Sequence, residues 1–191
     1  MKQLCQRNRR NRLFERTNVG GIHIRTATTN DAATIAEIYN QGIEDRVATY
    51  ETKRRSAEDQ EEWLQSIAGR YPAVVAQKGC EIIGWAGAVP YRVRDCYRGI
   101  GEFSMYVRRD WRRRGVGDLL LAGLIGEAER LGLWKLLSRI FPFNEASRAL
   151  CRKHGFREVG VYEKHARLDG EWLDVVIVER LISSNLEVVS Q

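Results

Sequence analysis

The sequence predicts a single mixed α/β domain, a mostly antiparallel sheet covered by helices, and three patterns predict it. Strand-like runs at 73–77, 81–89 and 99–107 follow one another with only turn-prone segments between them, so they pair antiparallel. One strand–helix–strand order, 99–140, supplies a parallel crossover, the place where a ligand belongs. Segments with a helical apolar period stand before and after these runs and can cover the sheet. At 191 residues and 43% hydrophobic content the chain fills one such core, and a second independent domain is not expected.

Residues 1–21 are rich in Arg, Asn and Gln, poor in large apolar side chains and end in Gly20-Gly21, which predicts a disordered basic leader. The domain, 22–182, opens with Ile22, Ile24 and Thr26 alternating as a strand, then Asn30 capping a helix that carries Ala33, Ile35, Ala36, Ile38 and Tyr39. Ser56 and Asp59 have the spacing of a capping box, with Asp in place of Glu, before a helix striped by Trp63, Leu64 and Ile67. Tyr71-Pro72 stops that helix. After the three strands, 115–131 reads as a helix with Leu121, Leu124, Ile125, Ala128 and Leu131 on one face and Gly132 as its stop. A buried strand at 134–140, a helix from the cap Asn144 to about His154, and strands at 156–163 and 174–181 complete the domain, with a tail at 183–191. Asp169-Gly170 reads as a hairpin turn.

Of the formal charge of +6, +5 resides in the leader, on Lys2, Arg7, Arg9, Arg10, Arg12 and Arg16 against Glu15. The folded body is therefore near neutral, which argues against a nucleic-acid-binding domain. Cys5, Cys80, Cys96 and Cys151 form no C-x-x-C pair and read as free thiols of a reducing cytoplasm. His23, His154 and His165 stand alone, so no metal site is expected. The longest apolar stretch, 119–126, is too short to span a bilayer, and the leader lacks the apolar segment of a signal peptide.

The chemistry-bearing segment is Arg112-Arg113-Arg114-Gly115-Val116-Gly117, between a strand and a helix. Its glycines let the backbone turn tightly and aim N–H groups outward, a nest for an anion at a helix N-terminus. Arg108, Arg109, Arg112, Arg113 and Arg114 surround it, opposed by Asp110 and by Asp118, an acid with no evident reason to stand in that first turn. A Walker A loop would require Gly-Lys-Ser/Thr after the glycines, and a dinucleotide fold a third glycine where Leu120 stands; both fail.

What remains resembles the acetyl-CoA signature of the GNAT superfamily, Arg/Gln-x-x-Gly-x-Gly/Ala, here Arg112, Gly115 and Gly117. Glu102-Phe-Ser-Met-Tyr-Val107, the loop, Asn144-Glu-Ala-Ser147 and Gly170-Glu-Trp172-Leu-Asp174-Val are similar to the phosphinothricin and arsinothricin N-acetyltransferase group, across roughly 22–181. The resemblance implies the acyl-CoA N-acyltransferase fold, with a bulged fourth strand (99–107) splaying from the fifth to admit a thioester. It also implies acetyl-CoA as cosubstrate, a small-molecule amine acceptor, a homodimer, and resistance to toxic amino-acid analogues as the context. Met105, Tyr106 and Val107 would meet the pantetheine arm, the residues Arg113, Arg114, Gly115, Val116, Gly117 and Asp118 would cradle the pyrophosphate, and Arg112, Asn144 and Ser147 would belong to the cofactor site.

Amide formation requires a neutral amine, a donor for the developing oxyanion and proton transfers at both ends. The resemblance makes Glu102 the base and the Val107 N–H the oxyanion donor. Relatives carry Tyr or His where this chain has Cys151, so the acid is open between Cys151, a hydroxyl such as Tyr162, and water. Arg92, Arg94 and Tyr97, in the loop before the Glu102 strand, are candidates to hold an acceptor's carboxylate or phosphinate. Thr49-Tyr50-Glu51 resembles a Thr-Phe-Glu element that closes over the substrate, and packing of Tyr50 in the core explains it equally well. The acceptors weighed are a small acidic amino-acid analogue (phosphinothricin, methionine sulfoximine or arsinothricin), and a polyamine, peptide or protein amine. Readings from other classes are a noncatalytic CoA-binding protein and a nucleic-acid-binding protein acting through the leader.

Overall fold

The structure, a computed structural model, describes residues 16–186. Eight strands form one sheet in the order β1-β2-β3-β4-β5-β6-β8-β7. In chain order the elements are β1 (Arg16–Val19), β2 (Ile22–Thr26), α1 (Ala32–Asp45), α2 (Ala57–Ile67), β3 (Ala73–Lys78), β4 (Glu81–Pro90), β5 (Ile100–Val107), α3 (Val116–Arg130), β6 (Lys135–Ile140), α4 (Glu145–Lys153), β7 (Arg157–Leu168) and β8 (Glu171–Leu181). Only β5 and β6 pair in parallel, through the α3 crossover; every other neighbour is antiparallel. The mixed, mostly antiparallel sheet expected from the run of strands is what the chain builds.

Alternation along the strands sorts the layers. Trp85 on β4 and Tyr106 on β5 face α1 and α2, where Tyr39 meets both rings (5.9 and 4.8 Å between centroids) and Trp63 meets Trp85 (5.2 Å). On the other face Phe103 packs on Phe156 at 5.3 Å, and α3 lies across β2 to β5 with Leu120, Leu121 and Leu124 wholly buried. A Cβ on Gly84 would come within 2.8 Å of Leu120 and 3.0 Å of the Tyr106 carbonyl, so glycine there lets α3 seat against the sheet.

Four local expectations change. The cap at the first helix is not Asn30: Asp31, buried, accepts from the Thr28 N–H (2.8 Å) and from both Arg25 guanidinium nitrogens (2.7 and 2.8 Å). Burial alone would raise the Asp31 pKa, but these donors outweigh it and hold it below the usual range. The expected leader boundary falls inside a hairpin, since Arg16–Val19 pairs with β2 across Gly20-Gly21, both at positive φ (62° and 79°); residues 1–15 of that leader lie outside the described residues. The outer hairpin is longer than predicted: β7 and β8 resume pairing beyond a bulge between Tyr162 and Ala166 and meet at Asp169-Gly170 (φ 49° and 91°), a turn with two left-handed residues. The expected tail begins docked, with Asn185 donating to the carbonyls of Glu129 (2.8 Å) and Leu133 (2.9 Å). Ser56 and Asp59 form the predicted capping box, at 2.8 and 3.1 Å. Among the described residues no helix is long and apolar enough to cross a membrane.

Candidate active site

β5 and β6 pair only from Ile100↔Lys135 to Glu102↔Leu137. Beyond that point the Ser138 hydroxyl donates to the Phe103 carbonyl at 2.8 Å, and the strands part as β6 stays with β8. The cleft so opened has Phe103 to Tyr106 on one wall and Ser138 to Phe141 on the other, with Asn144, Ser147 and Cys151 of α4 and Ala48 closing it. The expected bulge in the 99–107 strand is absent: its register with β4 runs unbroken from Gly84↔Val107 to Pro90↔Gly101, and the irregularity lies one strand away, between β3 and β4. The splay therefore comes from β6 leaving. It frees cleft-side main-chain groups of β5 that a sheet would otherwise occupy.

At the far end of β5 the loop turns through two left-handed residues, Arg113 (φ 58°) and Gly115 (φ 78°). The first bonds of α3 are those from the Asp118 and Leu119 N–H groups to the Gly115 carbonyl, at 3.1 and 3.3 Å. The preceding N–H groups of Val116 and Gly117 find no backbone acceptor among the described residues, as an anion nest requires. A Cβ on Gly117 would lie 3.2 Å from Leu150 and 3.7 Å from Met105, so this glycine lets the helix start close to both α4 and β5.

The five loop arginines separate into two kinds. Arg108 is held by Asp110 (2.8 Å) and Glu81 (3.2 Å), and Arg109 by Asp45 (2.6 Å) and Glu44 (3.4 Å). Arg112, first residue of the signature, lies 2.6 Å from Asp45 and donates to the Val107 carbonyl at 3.2 Å. Through these two nitrogens its side chain ties the loop to α1 and β5. Arg113 and Arg114 form no ion pair among the described residues; Arg114 lies over the Trp111 ring at 5.1 Å, as does Lys78 at 4.8 Å. Asp118 now has its reason: Lys153 (2.6 Å) and His154 (3.0 Å) grip it, joining α3 to α4, and the Lys153 bond leads the contacts that hold its carboxyl below the usual range.

Glu102 occupies the last paired position before the splay, opposite Val89 and Leu137, and its carboxylate meets the Arg139 guanidinium of β6. Sequence reasoning missed Arg139, which the fold alone brings into the cleft. Cys151 lines the cleft but is buried, and burial pushes its thiol up to about 12. A thiol held this far above its ordinary range gives up its proton less readily than a free one. Tyr162, the other named donor, does not line the cleft; it is half exposed on the β7 bulge beside His165, 5.2 Å away. The Tyr106 side chain packs against Tyr39 and donates to the Ala48 carbonyl (3.4 Å), and burial raises its pKa. Asn144 caps α4 through the Ser147 N–H (3.2 Å) and donates to Val47 (3.1 Å), fastening the 46–51 loop over the cleft.

On the acceptor side, the Tyr91 N–H bonds to the Ile100 carbonyl at 3.2 Å, which plants the loop with Arg92, Arg94 and Tyr97 two residues from Glu102. Arg92 lies over the Tyr91 ring at 5.2 Å, and Tyr91 packs edge-on to Tyr97 at 5.8 Å. Thr49 accepts from the Glu51 N–H (3.1 Å), a bond within the loop. Tyr50 packs on Phe141 (4.8 Å) and donates to the Leu173 carbonyl (3.1 Å), a packing role.

A splayed parallel pair with an anion nest at one end and a carboxylate at the other defines a class, the enzymes that carry an acyl group on a phosphorylated thioester to an amine. The family model for the acetyltransferase (GNAT) domain matches residues 22–157. The chain is 32% identical over 158 residues to the L-methionine sulfoximine/L-methionine sulfone acetyltransferase of Pseudomonas aeruginosa, covering 82% of this chain and 92% of that protein. A GNAT superfamily phosphinothricin acetyltransferase from Sinorhizobium meliloti, solved in complex with acetyl-CoA, aligns with TM-score 0.79 and 32% identity over 84% of this chain and 88% of its own. The ribosomal-protein-alanine N-acetyltransferase of Brucella melitensis aligns with TM-score 0.80 and 32% identity, over 83% and 99%. This chain belongs to the GNAT family and is an acetyl-CoA-dependent N-acetyltransferase.

Proposed function

We propose that the protein transfers the acetyl group of acetyl-CoA to the amino group of a small acidic amino-acid analogue of the phosphinothricin, methionine sulfoximine or arsinothricin type. One observation carries this reading: Glu102, at the point where β5 and β6 part, is paired with Arg139 of the cleft wall, a cation suited to an acid-bearing acceptor, and the loop holding Arg92 and Arg94 is anchored to Ile100 of the same strand. The naming of relatives at about 30% identity for such acceptors supports it.

Acetyl-CoA supplies an activated acyl group. The N–H groups of Val116 and Gly117, with the guanidinium groups of Arg113 and Arg114, hold its diphosphate, and the freed main chain of Met105 to Val107 holds its arm. Asn144 and Ser147 wall the cleft beside it. Glu102 takes the proton of the attacking amine, directly or through water, and the Val107 N–H polarises the carbonyl. Water protonates the departing thiolate, since neither Cys151 nor Tyr162 is suited to do so. Self-association would run through the exposed outer hairpin, where Val159, Val161 and Trp172 lie at the surface.

The test is CoA release with a panel of acceptors. Turnover with phosphinothricin or methionine sulfoximine is expected; turnover with peptide N-termini alone would reject the acceptor class. That second reading is favoured by the ribosomal-protein-alanine enzyme among the similar structures.

A further inference from the structure

β6 reads Lys-Leu-Leu-Ser-Arg-Ile and is buried at Leu136, Leu137, Ser138 and Ile140. Its two cations are handled differently. Lys135 is matched by Glu179 at 2.9 Å, on the neighbouring β8. Arg139, exposed at the cleft wall, has Glu102 as its one acid partner among the described residues, and Glu102 is the residue assigned to take the amine's proton. The contact joins one guanidinium nitrogen to one carboxylate oxygen, so most of the fork's five N–H donors stay available.

We infer that Arg139 recognises the α-carboxylate of the acceptor, and that its ion pair with Glu102 is the resting arrangement which the acceptor's own carboxylate displaces. The inference rests on the acceptor class proposed above and names the residue that selects it. A carboxylate offers the planar, two-oxygen face that an arginine fork prefers, and can replace a single-contact pair with a bidentate one. In an α-amino acid the nitrogen is one carbon away from that carboxylate. An acceptor anchored on Arg139 therefore brings its amine to the Glu102 it has just released. An amine without the carboxylate leaves the pair closed and the base engaged. Arg92 and Arg94, on the separate 91–98 loop, are then left for the second acidic group, the phosphinate or its equivalent.

The experiment uses the full chain and its Arg139→Gln and Arg139→Lys variants with two acceptors, L-methionine sulfoximine and the same molecule with its carboxylate converted to a carboxamide. kcat and KM are read from CoA release, and binding of the acid in the presence of CoA by calorimetry. For Arg139→Gln the KM for the acid should rise at least about tenfold, with its calorimetric signal lost, while KM for the amide moves less than about threefold. Arg139→Lys should recover part of the preference for the acid. Equal losses on both acceptors would overturn the inference and leave Arg139 as a residue that positions Glu102; no change on either would overturn it too. A wild-type enzyme inactive on the acid but active on peptide amines would reject the acceptor class and this inference with it. An active wild type with an unaltered Arg139→Gln variant would reject the inference alone. Melting temperatures establish that the variants are folded.

Discussion

Replacing the signature arginine, Arg112→Gln, should weaken the fold and spare the cofactor. Arg112 donates to the Val107 carbonyl at 3.2 Å and lies 2.6 Å from Asp45, whose side chain is 19% exposed and keeps Arg109 as a second partner. The Arg112–Asp45 ion pair joins side chains that are 37% and 19% exposed, and such a partly exposed pair contributes below about 1 kcal/mol. The bond to Val107 contributes about another 1 kcal/mol. A loss of about 1–2 kcal/mol in a chain of this size lowers the melting temperature by roughly 2–8 °C. The KM for acetyl-CoA should stay within about twofold, because two of its guanidinium nitrogens are engaged by the Val107 carbonyl and Asp45. The Arg113→Gln/Arg114→Gln double variant should do the opposite, raising that KM about tenfold or more, increasingly so at low salt, with little change in melting temperature. Thermal melts and acetyl-CoA titrations of both proteins decide the matter. A tenfold KM effect from Arg112→Gln with an unchanged melt would refute the division of the arginines.

Three further outcomes follow from the site. Glu102→Gln should lower kcat about 10²–10⁴-fold with acetyl-CoA affinity unchanged, measured by pre-steady-state CoA release and by calorimetry; an active variant would remove Glu102 as the base. Cys151→Ala should keep kcat within a few-fold, and the native thiol should resist alkylation at pH 8, since burial holds it near 12; a hundredfold loss of kcat would restore it as the proton donor. Asp31, Asp45, Asp118, Glu158 and Glu179 all have folded-state pKa values below their unfolded ones, so their stabilisation is complete above the unfolded value and is lost as pH falls through the folded one. Acid melts should therefore drop from roughly pH 5 downward, and Asp31→Asn should be less stable at pH 7 yet fall less steeply between about pH 5 and 3.

Much of the fold was legible because its signals are local. Ser56 and Asp59 cap each other across three residues, and the runs around Val75, Ile83 and Phe103 carry enough apolar character to be strands whatever surrounds them. The turn into α3 was legible in part for the same reason, since Gly115 takes the left-handed conformation expected of it, whereas the second left-handed residue, Arg113, carries no such local signal. Non-local features were not. The hairpin of β1 on β2 joins a basic stretch that composition assigned to a leader, because edge pairing is a backbone property that composition does not report. The splay was expected from a bulge in β5, but it arises where β6 keeps company with β8, a choice made by residues 35 and more positions downstream.

The division among the arginines shows the same limit more sharply. In the sequence, Arg108, Arg109, Arg112, Arg113 and Arg114 form one positive cluster, and Arg112 belongs to the cofactor site because it matches the signature. What separates them is the acid each one meets: Arg108 has Asp110 two positions on as well as Glu81 of β4, while the acids of Arg109 and Arg112, Glu44 and Asp45, come from α1, 65 and 64 positions before Arg109. The same holds in reverse at Glu102, whose partner Arg139 lies 37 positions later and gave no sign of a site in a strand that otherwise reads as core. A charge motif therefore fixes where cations gather, while tertiary pairing decides which of them remain for a ligand. Among the five loop arginines, Arg113 and Arg114 are the two that form no ion pair with an acid among the described residues, and on β6 the acid that meets Arg139 is Glu102, the residue proposed as the base.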